Sequence, residues 1–343
     1  MSRAVENLDL TTLLPYLEAH VEGFAGPMQV EKFSGGQSNP TFKITAKSGL
    51  YVLRRQPPGK LLPSAHAVDR EHRVLKALAG TDVPVARVFH LCEDPAVIGS
   101  MFYVMEFLEG RIFWDAALPE VGKDERSAIY DEMNRVLVAL HSVDIEKVGL
   151  SDYGKPGNYF RRQFDRWSSQ YRATELDRIE PMEQLMAWLE SHIPEDDGRV
   201  SLVHGDYRLD NLMLHPTKPR AIALLDWELS TLGHPFADLG YLCMQMRMPV
   251  VGTVSGLRGK DLKTLGIPSE REYVATYCQR MGIEKIDNFS FYVAFSFFRL
   301  TAIIQGVAKR AIDGNASNKN AAEMGQYVAP LAELALEAIA EQP

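Results

Sequence analysis

The residues with the clearest chemical potential form one short run, His204-Gly205-Asp206-Tyr207-Arg208-Leu209-Asp210-Asn211. It places a histidine, a carboxylate two residues on and an asparagine five residues after that carboxylate. Phosphoryl transfer asks for such a loop: an Asp accepts the proton of an attacking hydroxyl, and an Asn on the same loop holds a magnesium ion on ATP. The apolar run Ser201 to Val203 precedes the loop and Leu212 to Leu214 follows it, so the loop is expected as a polar excursion between two short buried strands. A further apolar strand, Ala221 to Leu225, runs into Asp226, a second hard oxygen ligand suited to magnesium. Asp206 is thus the candidate catalytic base, and Asn211 and Asp226 the candidate metal ligands. Glu228 is read as facing water, and His204 as a packed brace. Asp238, flanked by Phe236, Leu239 and Leu242, is read as a buried structural carboxylate that accepts N–H bonds from the loop.

These groups need partners that can hold a nucleotide. Ser34-Gly35-Gly36-Gln37-Ser38-Asn39 lies between two strand candidates, and Gly35, Gly36 and Ser38 could bring backbone N–H groups against phosphates. An ordinary hairpin turn has the same sequence, and no Gly-Lys-Ser/Thr follows as in a Walker loop. In Leu50 to Arg55 a period of two puts Val52 and Arg54 on one face and Tyr51, Leu53 and Arg55 on the other. Val52 would lie against a base and Arg54 would reach phosphates; a solvated strand end is the alternative. In the helix expected over Ser64 to Ala79, with Ser64 as N-cap and Gly80 as the stop, Val68, Glu71, Leu75 and Leu78 form one stripe. A carboxylate in an apolar stripe needs a cation, and Arg54 is the candidate. Tyr103 to Gly110 reads as a buried strand leaving into a polar turn, where the carbonyl of Glu106 and the N–H of Leu108 could meet an adenine edge.

The elements that must position these residues fall into two blocks. Strands are expected over Met28 to Phe33, Thr41 to Ala46, Leu50 to Arg54, Arg87 to Leu91 and Met101 to Phe107, with the single helix after Ser64 among them. Beyond Gly110 helical periodicity dominates, over Glu125 to His141, Tyr159 to Tyr171, Met182 to His192, Glu270 to Met281 and Phe289 to Lys309. The fold class is therefore α+β: a nucleotide-binding part over residues 1–107, a catalytic and substrate-binding part over 108–343, and a hinge near Glu106 to Gly110.

The chain has 343 residues, 46% of them hydrophobic, ample for a large core, and a net charge of −8 with both signs mixed throughout. That balance argues against nucleic-acid binding. Three separated cysteines form neither a disulfide framework nor a metal knuckle, which points to a reducing cytoplasm. Met1 to Leu10 lacks the apolar core of a secretory signal. Phe289 to Val307 is apolar enough to suggest a membrane span, but Arg299 interrupts it and a buried helix is expected instead. No membrane partner is expected, and the oligomeric state is not readable.

Taken together, Gly35-Gly36, Arg54, Glu71, His204-Gly205-Asp206 with Asn211, Asp226 and the helix start at Asp238 resemble the aminoglycoside phosphotransferase and choline kinase-like superfamily. Tyr51 to Arg55 and Pro57 to Ser64 are most similar to the kinase-like portion fused to some eukaryotic acyl-CoA dehydrogenases. The resemblance covers nearly the whole chain. It implies a protein-kinase-like fold in two lobes, and an ATP- and Mg²⁺-dependent transfer to a small-molecule hydroxyl. The chain departs from kinases in two places. Arg54 stands where Lys is usual, and Arg keeps its charge and forks onto two acceptors. Asp226-Trp227-Glu228 replaces Asp-Phe-Gly. The helix from Asn158 to Arg178 interleaves Arg161, Arg162, Arg166, Arg172 and Arg178 with aromatics. If it lined the cleft, an anionic acceptor such as a hydroxyacyl-CoA or hydroxy acid would fit better than a polycationic antibiotic; a solvated helix with an aromatic core face is the other reading. Two rival functions remain at this stage: an ATP-binding pseudokinase regulator, and a metallohydrolase using His204, Asp206, Asp226 and His234.

Overall fold

The computed structural model describes residues 8–33, 39–57, 66–251, 255–313 and 321–341. It opens on a helix that the strand-rich reading of the first third did not anticipate, α1 (Leu10–His20). Pro15 inside it removes one rung of the hydrogen-bond ladder, which weakens the helical signal. The Asp9 carboxylate compensates by capping the first turn, accepting from the Thr11 N–H at 2.9 Å. Leu13 and Leu17 are fully buried on the sheet that follows.

That sheet is antiparallel and five-stranded. β1 (Met28–Lys32), β2 (Thr41–Ala46) and β3 (Gly49–Arg55) lead into α2 (Val68–Leu78), followed by β4 (Val88–Cys92) and β5 (Phe102–Glu106), in the spatial order β1-β2-β3-β5-β4. Phe42, Ile44, Tyr51, Leu53 and Val104 share the face that packs on α1. The period of two then sends Val52 and Arg54 to the opposite face, as expected. α2 begins at Val68, with Ala67 at the N-cap and no side-chain cap; Ser64, the expected N-cap, lies outside the described residues. His66, at φ +60°, breaks the helical path just before that start. The stop near Gly80 is as anticipated, with φ +85°.

The rest of the chain is mainly helical. α3 (Lys123–His141), α4 (Tyr159–Thr174) and α5 (Glu180–His192) precede four short strands, β6 (Ser201–Val203), β7 (Leu212–Leu214), β8 (Ala221–Leu224) and β9 (Thr231–Gly233). β6 pairs with β9 and β7 with β8, both antiparallel. Then come α6 (Phe236–Arg247), the short α7 (Leu262–Leu265), α8 (Glu270–Met281), α9 (Phe289–Ile312) and α10 (Val328–Ala340). α9 is long and apolar enough to cross a membrane, yet 78% of its most apolar window is buried against the other helices. This is the buried helix expected from the sequence.

The two parts are joined at Gly110. A Cβ there would lie 2.6 Å from the Leu214 carbonyl oxygen, so only glycine allows the connector to press against β7. Arg111 and Leu214 then exchange two backbone hydrogen bonds of 2.8 Å. The connector after β5 is thereby pinned to the hairpin that carries Asn211.

Candidate active site

The loop between β6 and β7 is held from below by α6. The Asp238 carboxylate, almost wholly buried at the first turn of α6, accepts the His204 N–H at 2.6 Å and the Gly205 N–H at 2.8 Å. Burial alone would raise its pKa, but the hydrogen bond and charge of His141 together with the His204 N–H hold it below the ordinary carboxylate value. Gly205 has φ +83°, and a Cβ there would stand 2.7 Å from the Leu229 carbonyl oxygen, so the turn requires glycine.

His204 is the brace the sequence suggested. Its Nε2 bonds to the Leu225 carbonyl at 2.8 Å, and its Nδ1 accepts from the Asp206 N–H at 3.3 Å. A carbonyl can only accept, so the hydrogen sits on Nε2 and both ring nitrogens are occupied. His204 therefore cannot ligate a metal. His234 is turned to Asp197, its Nε2 3.3 Å from a carboxylate oxygen. Among the described residues no group of three or more His, Cys, Asp and Glu side chains could hold a metal ion. These contacts engage elsewhere the two histidines that the metallohydrolase reading requires as ligands.

Asp206 and Asn211 meet. The Asn211 Nδ2 donates to the Asp206 backbone oxygen at 2.8 Å and to its Oδ2 at 3.0 Å. With its nitrogen so engaged, the Asn211 amide turns its oxygen away from the aspartate. The Asn211 carbonyl accepts the Leu225 N–H at 2.8 Å, which sets Asp226 beside the loop. Asp226 takes left-handed backbone angles, φ +60° and ψ +67°, an uncommon state for a non-glycine residue. Its carboxylate is 47% exposed and sits 3.2 Å from the Arg54 Nη2.

Arg54 connects this loop to the sheet. Its Nε donates to the Glu71 Oε2 at 2.6 Å and its Nη2 to Oε1 at 3.3 Å, while the same Nη2 reaches Asp226. The pairing deduced from the α2 stripe is thus present, and the guanidinium adds a second carboxylate that a single ammonium could not fork onto in the same way. Burial disfavours the Arg54 charge, but Glu71, Tyr103 and Asp226 outweigh it and the group holds its proton more tightly than a free arginine. Glu71, 3% exposed, also accepts from Asn39 Nδ2 at 2.7 Å and from the Tyr103 hydroxyl at 3.1 Å.

The remaining candidates vary. Val52 is buried on the Arg54 face of the sheet. Glu106 ends β5 with its N–H on the Arg87 carbonyl and its side chain on the Arg87 N–H, so only its carbonyl is a candidate for a base edge. Leu108 lies in the irregular segment that follows. Gly35, Gly36 and Ser38 lie outside the described residues. The α4 arginines do not form a free cationic stripe. Phe160, Phe164, Trp167 and Tyr171 face the core, while Arg161 and Arg172, and Arg178 beyond the end of α4 at Thr174, pair with carboxylates and Arg162 bonds backbone carbonyls.

Other residues enter that the motif reading missed. Tyr241, one turn after Asp238, is buried beside Asp206; burial first, and then the Asp206 charge, push its phenol far above its usual pKa. The i, i+3 spacing from Asp238 on α6 was the available signal. The Arg299 guanidinium lies over the Tyr241 ring at 5.5 Å and over the Trp167 ring at 5.7 Å, with Arg166 at 5.2 Å from Trp167. Among the described residues neither arginine is ion-paired.

Comparison with known proteins agrees with this architecture. The profile of the phosphotransferase enzyme family matches residues 29–273. Acyl-CoA dehydrogenase family member 10 of Mus musculus is 48% identical over 93% of this chain, and family member 11 of Gallus gallus 43% over 98%. The chain spans only 30% and 44% of those two proteins. A solved structure from Ralstonia eutropha JMP134, provisionally described as an aminoglycoside phosphotransferase, is 51% identical with a TM-score of 0.89, covering 97% of this chain and 99% of its own. The aminoglycoside phosphotransferase APH(4)-Ia, solved with ADP and hygromycin B, has a TM-score of 0.62 over 96% of this chain and all of its own, at 13% identity; that likeness carries the fold alone.

Proposed function

The chain belongs to the phosphotransferase enzyme family, and from that premise we propose that it transfers the γ-phosphoryl group of ATP to a hydroxyl of a small molecule. The observation that carries this reading is the Arg54 fork, which joins Glu71 at 2.6 Å to Asp226 at 3.2 Å beside the Asp206–Asn211 pair. In this reading Asp206 accepts the hydroxyl proton, and Arg54, kept in place by Glu71, orients the phosphates. Asn211 and Asp226 would hold Mg²⁺. The donor set suits that ion: an amide oxygen directed away from Asp206 and a half-exposed carboxylate. Magnesium bound there would neutralise phosphate charge as it develops. Val52, the Glu106 carbonyl and the Leu108 N–H would receive the base, and Gly35, Gly36 and Ser38 the phosphates.

The acceptor proposed is a hydroxy acid or its CoA thioester, not an antibiotic. Two observations support it: the kinase-like relatives are named as acyl-CoA dehydrogenase family members, and two arginines with no carboxylate partner among the described residues, Arg299 and Arg166, lie over the Trp167 ring, with Arg299 also over Tyr241 beside Asp206. A screen of hydroxy acids and hydroxyacyl-CoAs against kanamycin, read as ATP-dependent phosphorylated product, tests the assignment; preferential phosphorylation of kanamycin refutes it. With a competent anionic acceptor, Arg299→Met is expected to raise the acceptor KM by about tenfold or more, the worth of a charge-assisted hydrogen bond, and to leave the KM for ATP unchanged.

Nucleotide binding can be checked without an acceptor. ATP with Mg²⁺ at about 100 times its Kd is expected to stabilise the fold by about 2.7 kcal/mol, read as a rise in Tm, while Zn²⁺ or Mn²⁺ without nucleotide has no such effect. Equal stabilisation by the bare metals would refute the nucleotide site.

A further inference from the structure

A buried carboxylate needs several donors, and the set around Glu71 extends past Arg54 to two residues with no role so far. Asn39, 1% exposed, gives its Nδ2 to the Glu71 Oε1 at 2.7 Å. Its Oδ1 therefore faces outward from Glu71 and lies 3.1 Å from the His66 Nδ1. An amide oxygen only accepts, so the His66 Nδ1 must carry the hydrogen. Two donor arms therefore converge on Glu71: His66 donates to Asn39 and Asn39 to Glu71, while Arg54 donates to Glu71 from the other side. The Asn39 backbone reaches the other partner of the bridge as well. Its carbonyl accepts from the Thr41 hydroxyl at 3.0 Å, and the same hydroxyl accepts from the Arg54 Nη1 at 3.3 Å.

His66 is held for this contact at a conformational cost. Its φ of +60° is a left-handed value that few non-glycine residues adopt, and such strain persists only where neighbours over-determine it. Two neighbours do so here. Its carbonyl accepts from the Gln56 Nε2 at 3.0 Å and from the Val68 N–H at 2.9 Å, which ties it to the end of β3 and the start of α2.

We propose that Asn39 and His66 are positioning residues that fix the Glu71 carboxylate, so that Arg54 can divide its fork between Glu71 and the phosphate side of the cleft. Arg54 alone would have to satisfy Glu71 fully. With Asn39 and Tyr103 covering part of that carboxylate, one Arg54 nitrogen reaches Asp226 at 3.2 Å. The inference rests on the ATP-dependent reading above and assigns to it two residues that reading gave no part in binding or transfer.

The test is the affinity of the full chain for Mg·ATP by isothermal titration calorimetry, with Tm measured on each variant. Asn39→Ala is expected to weaken binding about tenfold, the worth of one buried hydrogen bond. Asn39→Asp retains the shape but sets a like charge against Glu71, and about a hundredfold loss is expected. At position 66 both asparagine and glycine tolerate the left-handed backbone. The Asn Nδ2 occupies the place of the His Nδ1, so His66→Asn should bind within about twofold of wild type, whereas His66→Gly, which has no donor, should lose about tenfold. A merely structural role would move Tm and leave Mg·ATP affinity unchanged. Equal affinities for His66→Asn and His66→Gly, or wild-type affinity for Asn39→Ala, overturn the proposal. If Asn39→Asp does not fold, the His66 pair still decides. A wild-type chain that binds no Mg·ATP overturns the parent reading instead.

Discussion

Asp206→Asn is expected to lower turnover by about 10²- to 10⁴-fold, the range for loss of a general base, while Mg·ATP binds nearly as before. Asparagine is the sharper substitution. In the native loop the Asp206 Oδ2 accepts from the Asn211 Nδ2 at 3.0 Å, and alanine would remove that bond, leaving the amide of a proposed metal ligand held only by the residue-206 backbone oxygen at 2.8 Å. An Asn side chain retains an oxygen for the Asn211 contact and the shape that packs beside Tyr241, but it cannot take up a proton. The variant therefore isolates proton acceptance from the geometry of the loop. Single-turnover transfer to a competent hydroxyl acceptor, with ATP affinity measured alongside, checks it. Turnover that survives would show that Asp206 is not the base. A wild-type chain that binds ATP tightly yet phosphorylates no hydroxy acid, hydroxyacyl-CoA or aminoglycoside would favour a regulator without turnover.

Much of this arrangement is legible in the sequence because it rests on short-range periodicity. A period of two across Leu50 to Arg55 sorts Arg54 from the apolar residues of β3, and the stripe of α2 forces Glu71 inward, so their contact at 2.6 Å follows from two local patterns and one energetic requirement. The Asp238 brace is similar, since a carboxylate among apolar neighbours must find N–H donors. What was not legible depends on contacts that sequence spacing does not encode. Arg54 and Asp226 are 172 positions apart, and their pairing exists only because the connector is clamped at Gly110 onto the hairpin that ends beside Asn211. The α1 helix was lost because Pro15 obscures a segment whose stability comes from Leu13 and Leu17 packing on the sheet. The α4 arginines were misleading for the opposite reason. Their interleaving with aromatics is simply an amphipathic helix, and most of the charges are neutralised by Asp165, Glu175, Glu180, Glu183 and Glu190. Arg299, which reads as a mere interruption in an apolar helix, is the cation that reaches the Tyr241 side of the loop.

The largest effect on stability is expected at Asp238. Asp238→Ala should destabilise the fold by about 3–5 kcal/mol, the cost of breaking a buried charged network, and should also abolish transfer. The carboxylate oxygens receive the His204 and Gly205 N–H groups at 2.6 and 2.8 Å and lie 3.3 Å from the His141 Nε2. Removing them strands two backbone donors and one side of an imidazole in a buried site. The loop depends on these bonds, because its turn at Gly205, at φ +83° and close against the Leu229 carbonyl, has the freedom of glycine and is fixed by the N–H bond to Asp238. Asp238→Asn separates charge from shape: one amide oxygen can still accept, but the NH₂ group meets N–H donors head-on, so most of the loss should remain. The pH dependence has a definite sign. The folded-state pKa of Asp238 lies below its unfolded value, so its contribution is fully present above the ordinary carboxylate range and is lost as pH falls through the lower, folded-state value. Denaturant unfolding of wild type and Asp238→Asn between neutral pH and pH 3 should therefore converge as the solution is acidified. A gap between the two that stays constant down to pH 3 would mean that the Asp238 charge is not what holds the loop.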